Sequence, residues 1–320
     1  MKTIAVLTSG GDAPGMNAAI RAVVRAGIAM GMNVKGIRRG YAGLIEGDII
    51  DMDARSVSDI IHRGGTMLYT ARCPEFKTQE GVDKAVASCK EHGIDGIVVI
   101  GGDGSFRGAR DLSLSGIPCV GVPGTIDNDI SSTEYTIGYD TAMNTAMEMM
   151  DKLRDTSQSH ERCSVVEVMG RHAGWLALQT GVAVGATAIL VPEIPFDFEK
   201  DIINEIKLSQ TTGKMHYIIV VAEGVGNVQE IAKLVEEKTG IVTRATVLGH
   251  VQRGGSPTVR DRVMASGMGH EAVRLLKEGI GNRVIAYRDN KVVNFDIYEA
   301  LNMEKPFDIE AYKMAYTISI

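Results

Sequence analysis

The sequence predicts an α/β protein with two lobes, each built on a mostly parallel sheet. Short, nearly all-apolar runs alternate along the chain with longer runs of helical periodicity, as in repeated βαβ units. The apolar runs lack polar alternation, which indicates strands covered on both faces. A chain of 320 residues is long enough for two cores, and the number of runs favours two sheets over one.

The individual elements follow from these runs in chain order. The predicted strands are residues 4–7, 96–100, 119–122, 165–168, 188–191, 217–222 and 246–248. The predicted helices are residues 16–30, 81–92, 141–154, 199–212, 228–238 and 259–278. Residues 284–295 form a predicted hairpin, because two strand-like runs flank the segment Asp289-Asn290-Lys291.

The lobes are divided without a Pro- or Ser-rich linker to mark the border. We place the first crossing near residues 137–140 and the return after His250. The first lobe is then residues 1–138 plus 251–303, and the second is residues 139–250 plus 304–320. In open α/β sheets, ligands bind beyond the carboxyl ends of the strands. Chemistry is therefore expected in the loops that follow strands.

The composition is that of an ordinary globular protein, with 44% hydrophobic and 23% charged residues. A net charge of −6 weighs weakly against a protein that coats nucleic acid or an anionic membrane. We expect no signal peptide, and no stretch approaches the roughly 20 apolar residues that cross a bilayer. Four widely spaced cysteines without C-x-x-C suggest neither a zinc site nor a disulfide framework. A cytoplasmic protein without a nucleic-acid or membrane partner is therefore expected.

Two loops share a glycine-rich pattern between a predicted strand and a predicted helix. Residues 9–15 read Ser-Gly-Gly-Asp-Ala-Pro-Gly, and residues 101–105 read Gly-Gly-Asp-Gly-Ser. Glycines let a ligand approach the backbone, and a helix N-terminus offers free N–H groups to an anion. An aspartate suits such a cradle if Mg²⁺ lies between Asp103 and a nucleotide phosphate. Tight turns with capping aspartates are the alternative for either loop alone. Neither loop matches the P-loop or the dinucleotide fingerprint, so a dehydrogenase is disfavoured.

A third loop, Pro-Gly-Thr-Ile-Asp-Asn-Asp-Ile at residues 123–130, follows the strand predicted at 119–122. Its two carboxylates, Asp127 and Asp129, are two positions apart and need not face the same way. One of them would suit a general base, while the other would orient a neighbour or a metal. The alternative is an Asx-turn without chemistry, and spacing alone does not separate the two.

Cationic side chains cluster beside glycines in three stretches of the chain. These residues are Arg63, Arg72, Arg162, Arg171, Arg244, His250 and Arg253. The planar guanidinium donates two parallel hydrogen bonds, which suits phosphate. Arginines at strand ends beside glycines therefore favour an anion pocket over a solvated surface.

Taken together, these loops resemble those of the bacterial ATP-dependent 6-phosphofructokinases over essentially the whole chain. The shared motifs are LTSGGDAPGMNAAIR, GGDGS, PGTIDNDI, IGYDTA, RDTSQSHER, VEVMGRHAG, VAEGVG and VLGHVQRGGSP. GGDG alone also occurs in kinases of other substrates, whereas its combination with the remaining motifs is highly specific. The resemblance implies two Rossmann-like three-layer lobes, the first for ATP and the second for fructose 6-phosphate. It also implies transfer of the γ-phosphoryl group of MgATP to the sugar's 1-hydroxyl, a step of glycolysis.

The resemblance assigns roles to residues position by position. ATP would contact Gly11, Arg72, Cys73, Gly102, Asp103, Gly104 and Ser105, and Asp103 would bind Mg²⁺. Asp127 would act as the base, with Thr125 beside it, while Arg72 and Arg171 would offset charge on the transferred phosphoryl group. The sugar would contact Met169, Gly170, Arg171 and Glu223. Its 6-phosphate would contact Arg162, Arg244, His250 and Arg253, with Arg162 and Arg244 donated by a neighbouring subunit of a homotetramer.

An effector site for ADP, an activator, and phosphoenolpyruvate, an inhibitor, is also implied. The matching positions are Arg21, Arg25, Asp59, Arg154, Gly185, Lys214 and His216. Three positions depart from the family pattern, because Thr187 replaces a glutamate that helps to hold the effector's metal, Thr212 a basic residue and Met215 a common lysine. The usual arginine near the Ser-Val-Ser-Asp turn stands one place on, as Arg55. We therefore expect weakened or altered regulation.

The phosphate donor is predicted from two glycines. Pyrophosphate-using relatives typically carry an aspartate at the position of Gly104 and a lysine at the position of Gly124. Glycine at both positions favours ATP. The alternatives are a pyrophosphate-dependent phosphotransferase and a catalytically inactive nucleotide-binding regulator with the same fold. The second alternative is disfavoured because Asp103, Asp127 and Arg171 are all present.

Overall fold

The computed structural model describes residues 1–319 and divides the chain into two compact units. The first unit is residues 1–126, 130–141 and 253–305, and the second is residues 127–129, 142–252 and 306–320. The sequence placed residues 127–129 in the first lobe, whereas the structure groups them with the second unit. The assignment of ATP and fructose 6-phosphate to the two lobes stays a prediction.

The elements alternate between strand and helix through most of the chain. The strands are β1 (Thr3–Ser9), β2 (Asn33–Ile37), β3 (Ile49–Met52), β4 (Gly96–Gly101), β5 (Cys119–Pro123), β6 (Cys163–Val168), β7 (Ala188–Leu190), β8 (Tyr217–Ala222), β9 (Thr243–Val247), β10 (Arg283–Arg288) and β11 (Lys291–Asp296). The helices are α1 (Met16–Ala29), α2 (Gly40–Glu46), α3 (Gln79–Glu91), α4 (Asp103–Leu114), α5 (Tyr139–Ser159), α6 (Trp175–Ala183), α7 (Asn204–Thr211), α8 (Val228–Thr239), α9 (Val259–Lys277), α10 (Ile297–Asn302) and α11 (Ile309–Thr317). A π-helical turn, Glu199–Ile203, precedes α7.

The first unit contains a seven-stranded sheet in the order β11-β10-β5-β4-β1-β2-β3. Its central strands are parallel, and only the two edge strands, β3 and β11, pair antiparallel with their neighbours. Strands β1, β4 and β5 are fully buried along almost their whole length, which explains their unbroken apolar sequences. Leu7, Val99 and Phe106 belong to the core cluster on one face of this sheet.

The second unit contains a four-stranded, entirely parallel sheet in the order β7-β8-β6-β9. Val165, Leu190 and Ile219 lie in its core cluster, together with residues of the π-helical turn, α7 and α8. Two largely parallel sheets in an α/β chain confirm the predicted fold class. Within residues 1–319, no helix is long and apolar enough to cross a membrane.

The sequence analysis was wrong about several elements. It missed β2, β3, α2, α6, α10 and α11, and it placed the strand that became β9 at residues 246–248 instead of Thr243–Val247. Strand β9 is the edge of its sheet and carries the exposed Arg244. Arg244 interrupts the apolar pattern at the start of β9, and so a search for apolar runs places this strand too late.

The predicted hairpin near the C-terminus is confirmed. Strands β10 and β11 pair antiparallel, with Arg288 opposite Lys291. The two turn residues, Asp289 and Asn290, both have positive φ, at 50° and 59°. A two-residue turn of this kind matches the right-handed twist of the strands, and Asp and Asn tolerate it better than most residues.

Candidate active site

The carboxyl ends of β1, β4 and β5 lie side by side in the first unit. In the strand register, Ser9 is opposite Gly101, and Gly101 is opposite Pro123. The Gly124 N–H donates to the Gly101 carbonyl at 3.0 Å. Because β2 follows β1 on one side while β4 and β5 lie on the other, this edge is a topological switch point, where open α/β sheets bind ligands.

Close packing at this edge requires glycine at position 101. A Cβ atom there would lie 2.4 Å from the Ser9 carbonyl oxygen and 2.8 Å from the Ser105 Cβ. Such distances are not compatible with any larger residue unless the backbone moves. The two glycine-rich loops that the sequence identified are therefore in direct contact.

Asp103 is the first residue of α4 and follows Gly102, the N-cap. Its side chain is 47% exposed, and its Oδ2 accepts from Arg107 Nε at 2.9 Å. A Cβ at Gly104 would have no heavy atom of the described chain within 4 Å, apart from its neighbours and its own helix. The helix N-terminus thus presents free N–H groups, an exposed carboxylate and open space next to each other.

The segment that carries Arg72 and Cys73 is tied to the glycine loop after β1. Thr70 Oγ1 donates to the Gly10 carbonyl at 2.7 Å, and Thr8 Oγ1 donates to the Tyr69 carbonyl at 2.9 Å. Arg72 is exposed and Cys73 is half-buried. The sequence analysis missed these threonines, because a single threonine carries no signal of a partner some 60 positions away.

The loop after β5 is buried rather than a surface turn. Thr125 and Asp127 are only 8% and 6% exposed. The Thr125 N–H donates to the Ile137 carbonyl at 3.1 Å, and Thr136 Oγ1 donates to the Thr125 carbonyl at 2.7 Å. A buried carboxyl at a strand end is unusual for an ordinary Asx-turn, since carboxylates of such turns are mostly exposed. The burial supports chemistry at Asp127.

Arg253 contacts the loop that carries Gly11. Its Nη1 donates to the Asp12 carbonyl at 3.1 Å, and a Cβ added to Gly11 would lie 2.4 Å from the same nitrogen. The resemblance grouped Arg253 with His250. In the structure Arg253 belongs to the first unit and His250 to the second.

The carboxyl ends of β6, β8 and β9 carry the candidate sugar-binding residues of the second unit. The Arg171 N–H donates to Glu223 Oε2 at 3.0 Å. Arg171 has a φ of 60°, which few non-glycine residues adopt. A Cβ at Gly170 would lie 2.5 Å from the Ala173 carbonyl oxygen. The Met169–Arg171 segment is therefore a tight turn whose shape is closely determined.

Gln252 is a residue of this site that the sequence analysis missed. It is fully buried, and its Oε1 accepts from the Met169 N–H at 2.8 Å. Its Nε2 is also buried, with no hydrogen-bond partner within residues 1–319. Gln252 thus links the short helical turn Gly249–Arg253, which carries His250, to the Met169 turn.

Glu167 lies on β6, just before this turn. Burial, together with the negative charge of Glu223, raises the pKa of the Glu167 carboxyl. The carboxyl ends of these strands therefore hold two interacting acidic groups, of which Glu223 is the exposed one.

Arg162 and Arg244 lie at the amino-terminal ends of the strands of the same sheet, opposite to the carboxyl ends that carry Met169, Glu223 and His250. Arg162 immediately precedes β6, and Arg244, near the start of β9, is opposite Ser164 in the register. A strand of this length spans roughly 20 Å, so neither arginine lies with Met169, Glu223 and His250 in one chain. Arg244 Nη1 is 3.4 Å from Glu236 Oε2.

The predicted effector residues divide between the two units. Arg21 and Arg25 lie on α1, and Asp59, with a φ of 55°, lies in a turn of the first unit. Arg154, Gly185, Lys214 and His216 belong to the second unit. Burial, and then the positive charge of Arg154, lowers the pKa values of Lys214 and His216. These mutual effects indicate a cationic cluster of Arg154, Lys214 and His216.

The three residues that depart from the family pattern at the effector positions all lie in the second unit. Thr187 is buried, and its Oγ1 has no hydrogen-bond partner among the described residues. Thr212 and Met215 are exposed. Lys214 Nζ donates to the Ser319 carbonyl at 3.0 Å.

The donor set fits a magnesium ion held mainly by a bound nucleotide. Within the described chain, no group of three or more His, Cys, Asp or Glu side chains is arranged to hold a metal. Asp103 supplies one exposed carboxylate at a helix N-terminus. Mg²⁺ usually keeps several waters and binds through one or two carboxylates plus substrate phosphates, so Asp103 alone is an adequate protein ligand.

The fold and this set of loops define a class, that of α/β proteins with glycine-rich phosphate loops at the switch point of a parallel sheet. The chain belongs to the phosphofructokinase family, whose model, described as "Phosphofructokinase", matches residues 3–276. It is 58% identical over 319 residues to proteins named "ATP-dependent 6-phosphofructokinase" from Clostridium botulinum and "ATP-dependent 6-phosphofructokinase 1" from Clostridium perfringens. Each comparison covers 100% of both chains.

Solved structures show the same fold. Phosphofructokinase from Saccharomyces cerevisiae matches with a TM-score of 0.88 and 36% identity, covering 94% of this chain and 45% of that one. The Pichia pastoris enzyme in the T-state matches with a TM-score of 0.90 and 36% identity, covering 99% of this chain and 36% of that one. The chain thus spans less than half the length of these yeast chains. A pyrophosphate-dependent phosphofructokinase from Marinobacter aquaeolei, 24% identical, shares the fold with a TM-score of 0.86 over 97% of this chain and 86% of that one.

Proposed function

We propose that this chain is an ATP-dependent 6-phosphofructokinase, which transfers the γ-phosphoryl group of MgATP to the 1-hydroxyl of fructose 6-phosphate. The products are fructose 1,6-bisphosphate and ADP. The observation that carries the proposal is the contact between the loops after β1 and β4, with the loop of Thr125 beside them. Backbone N–H groups, an exposed carboxylate and a buried carboxyl then follow neighbouring strands, as phosphoryl transfer requires. The names of the Clostridium relatives support the same reaction.

The ATP phosphates would bind to the N-terminus of α4 and the glycine loops. We assign Gly11, Arg72, Cys73, Gly102, Asp103, Gly104 and Ser105 to this task. The helix N-terminus attracts the phosphates, and the glycines allow close approach. Bound through Asp103 and the nucleotide, Mg²⁺ would neutralise phosphate charge.

Asp127 would take the proton from the sugar's 1-hydroxyl as that oxygen attacks the γ-phosphorus and the bond to the ADP oxygen breaks. The low exposure of its carboxyl keeps water away from the proton transfer. A positioned base contributes on the order of 10²–10⁴-fold in rate. Arg72 and Arg171 would offset the charge on the transferred group, and Thr125 would help to place the hydroxyl.

The choice of ATP over pyrophosphate is supported by both glycines named above. At Gly104 the space beyond the backbone is open, which leaves room for a nucleotide. A Cβ at Gly124 would lie 3.0 Å from Ile100 Cγ2 and 3.2 Å from Met16 Cε. A lysine at this position would press on the core, so the described backbone is shaped for glycine there.

The test is a phosphoryl-transfer assay with fructose 6-phosphate that compares ATP and pyrophosphate as donors. We expect product with ATP and none with pyrophosphate. Activity with pyrophosphate alone would overturn the donor assignment. A folded protein that binds ATP but transfers nothing from either donor would be the inactive regulator instead.

Arg162 and Arg244 would serve the active site of a neighbouring copy in a homotetramer. They lie at the amino-terminal ends of the strands, whereas Met169, Glu223 and His250 follow the carboxyl ends, and this separation supports the proposal. If so, mixing Arg162→Ala chains with Asp127→Ser chains should restore activity, because hybrid sites would combine an intact Asp127 with an intact Arg162. Activity no higher than that of the separate variants would contradict the donation.

Regulation by ADP and phosphoenolpyruvate is proposed to be weaker than is usual in the family. Thr187 offers no carboxylate for a metal, and Thr212 and Met215 offer no charge, although the cluster of Arg154, Lys214 and His216 is retained. Titrating phosphoenolpyruvate against the fructose 6-phosphate saturation curve checks this. A strong sigmoidal shift that ADP reverses would contradict it. A place in glycolysis and in the cytoplasm remains what the resemblance implies.

A further inference from the structure

Asp261 is a fully buried carboxylate near the N-terminus of α9. Together with Thr258 it reads as a capping box, in which the acidic side chain turns back to the N-cap N–H. Only half of that motif forms in the structure. Thr258 Oγ1 accepts from the Asp261 N–H at 3.3 Å, but the Thr258 N–H donates to Thr141 Oγ1 at 3.0 Å rather than to Asp261.

The Asp261 carboxylate instead accepts four hydrogen bonds from the turn at residues 135–141. Its Oδ1 accepts from Tyr135 Oη at 2.5 Å and from the Gly138 N–H at 2.7 Å. Its Oδ2 accepts from the Thr141 N–H at 2.9 Å and from Thr141 Oγ1 at 2.5 Å. Two of the four donors are backbone groups, which cannot reverse their role. The carboxylate therefore determines the shape of this turn and the start of α5.

The same turn holds the backbone of Thr125. Gly124 and Ile137 form a parallel bridge, and the Thr125 N–H donates to the Ile137 carbonyl. Thr136 adds a side-chain bond to the Thr125 carbonyl. Gly138, whose N–H donates to Asp261, directly follows Ile137 in the chain, so a short series of hydrogen bonds connects Asp261 to Thr125.

The turn also packs on the glycine loop after β1. A Cβ at Gly138 would lie 2.6 Å from Ala13 Cβ, and a Cβ at Gly15 would lie 2.6 Å from Ile137 Cγ2. Both glycines have φ near +100°, a conformation that favours glycine. Displacing the turn would therefore disturb two of the three loops at the switch point.

A buried carboxylate is retained here although burial opposes its charge. Burial raises the pKa of Asp261, and the hydrogen bonds from Thr141, Tyr135 and Gly138 offset part of that effect. An apolar residue would avoid the cost of burial but would leave two backbone N–H groups without acceptors. The Asp261 carboxylate thus serves as the hydrogen-bond acceptor for the backbone N–H groups of Gly138 and Thr141.

We propose that Asp261 is a positioning residue for phosphoryl transfer, which holds the turn at residues 135–141 and, through that turn, the backbone of Thr125. The proposal rests on the function proposed above. It predicts that Asp261 matters for turnover, since small misplacements of reacting groups cost far more in rate than in ground-state binding.

The test is Asp261→Asn, assayed at saturating ATP and fructose 6-phosphate well below its unfolding temperature. Asparagine keeps the volume but replaces one acceptor oxygen with an NH₂ group that faces donors. We expect kcat to fall on the order of 10–100-fold while both KM values change by less than about threefold. Asp296→Asn is the matched control, because Asp296 caps α10 through Tyr298 and Glu299 and touches none of the three loops. Its kcat should equal that of the wild type.

Wild-type kcat in a folded Asp261→Asn variant would overturn the inference, as would a change confined to KM. If the asparagine variant does not fold, Tyr135→Phe decides, because it removes one of the four donors and leaves the carboxylate in place. A lowered kcat in that variant at unchanged KM supports the proposal, and an unchanged kcat overturns it. An inactive wild-type protein would instead refute the proposed function, so the two failures are distinguishable.

Discussion

The candidate residues of the two units are held in different ways. At the carboxyl ends of β1, β4 and β5, the loop backbones are held by close contacts, such as that of Gly101 with Ser9, and by the buried Asp261. At the carboxyl ends of β6, β8 and β9, the candidate groups are side chains, of which Arg171, Glu223 and His250 are exposed. In the proposed function, the first set supports the ATP phosphates and the second set contacts the sugar phosphate. The candidate residues of the two units should therefore respond differently to substitution.

The largest effect is expected at Asp127, because its side chain is the proposed base of the chemical step. Asp127→Ser should lower kcat by on the order of 10²–10⁴-fold, because the base is lost. ATP binding, measured by equilibrium titration, should be nearly unchanged. Near-normal turnover would exclude Asp127 as the base and would leave the chemistry to positioning alone.

The loop backbones of the first unit are tested by Gly101→Ala. The added methyl group would lie 2.4 Å from the Ser9 carbonyl, and overpacking of this kind typically costs about 1–3 kcal/mol. We expect a lower unfolding temperature together with a raised KM for ATP, while the KM for fructose 6-phosphate changes less.

Gly267→Ala on α9 is the control for that experiment, since its Cβ would meet only Val292 Cγ2, at 3.7 Å. Its unfolding temperature should match or slightly exceed that of the wild type. An unchanged ATP KM in folded Gly101→Ala would show that the cradle tolerates a shift of its backbone.

The candidate sugar-binding residues of the second unit are tested by Gln252→Met. Methionine keeps the approximate volume but cannot accept from the Met169 N–H, a bond that contributes about 0.5–1.5 kcal/mol. We expect the KM for fructose 6-phosphate to rise by roughly threefold to tenfold. The ATP KM serves as the internal control and should not change. A rise in the ATP KM instead would contradict the proposed assignment of the sugar phosphate to the second unit.

The smallest effect is expected at Arg107, whose exposed ion pair with Asp103 would compete with the Mg²⁺ proposed to bind there. Arg107→Ala should lower the Mg²⁺ concentration for half-maximal activity by no more than a few-fold, because exposed pairs contribute little. Lys152→Ala is the matched control, since it removes a similar exposed i,i+4 pair with Glu148 on α5. A higher Mg²⁺ requirement for Arg107→Ala would mean that the arginine helps to hold the phosphates.

Much of this site was predictable from the sequence because its parts are local. Strand β4, Gly101–Ser105 and the start of α4 are consecutive, and so are β5 and the Thr125 loop. Apolar runs, glycines and helix starts are signals that a short window contains. The fold class follows for the same reason, since alternation of strand and helix leads to a parallel sheet.

Other parts depended on partners far along the chain. Asp261 reads as a helix cap, and only the structure shows that its carboxylate binds a turn 120 or more positions away. Gln252 lies in a motif shared with the family, but the sequence does not show that its Oε1 accepts from the Met169 N–H, 83 positions away. The strand register likewise shows that Arg162 and Arg244 lie together at the amino-terminal ends of β6 and β9, away from the residues that follow those strands.

By itself, the sequence determined the α/β class, the three loops and the residue types of phosphoryl transfer, because each is written in consecutive residues. Only the tertiary structure decided which side chains support those loops, which glycines lie too close to a neighbour to be replaced, and which arginines lie apart from the rest. The physical reason is that hydrogen bonds and close contacts depend on distances in space. Those distances follow from strand order and register, which bring remote segments together.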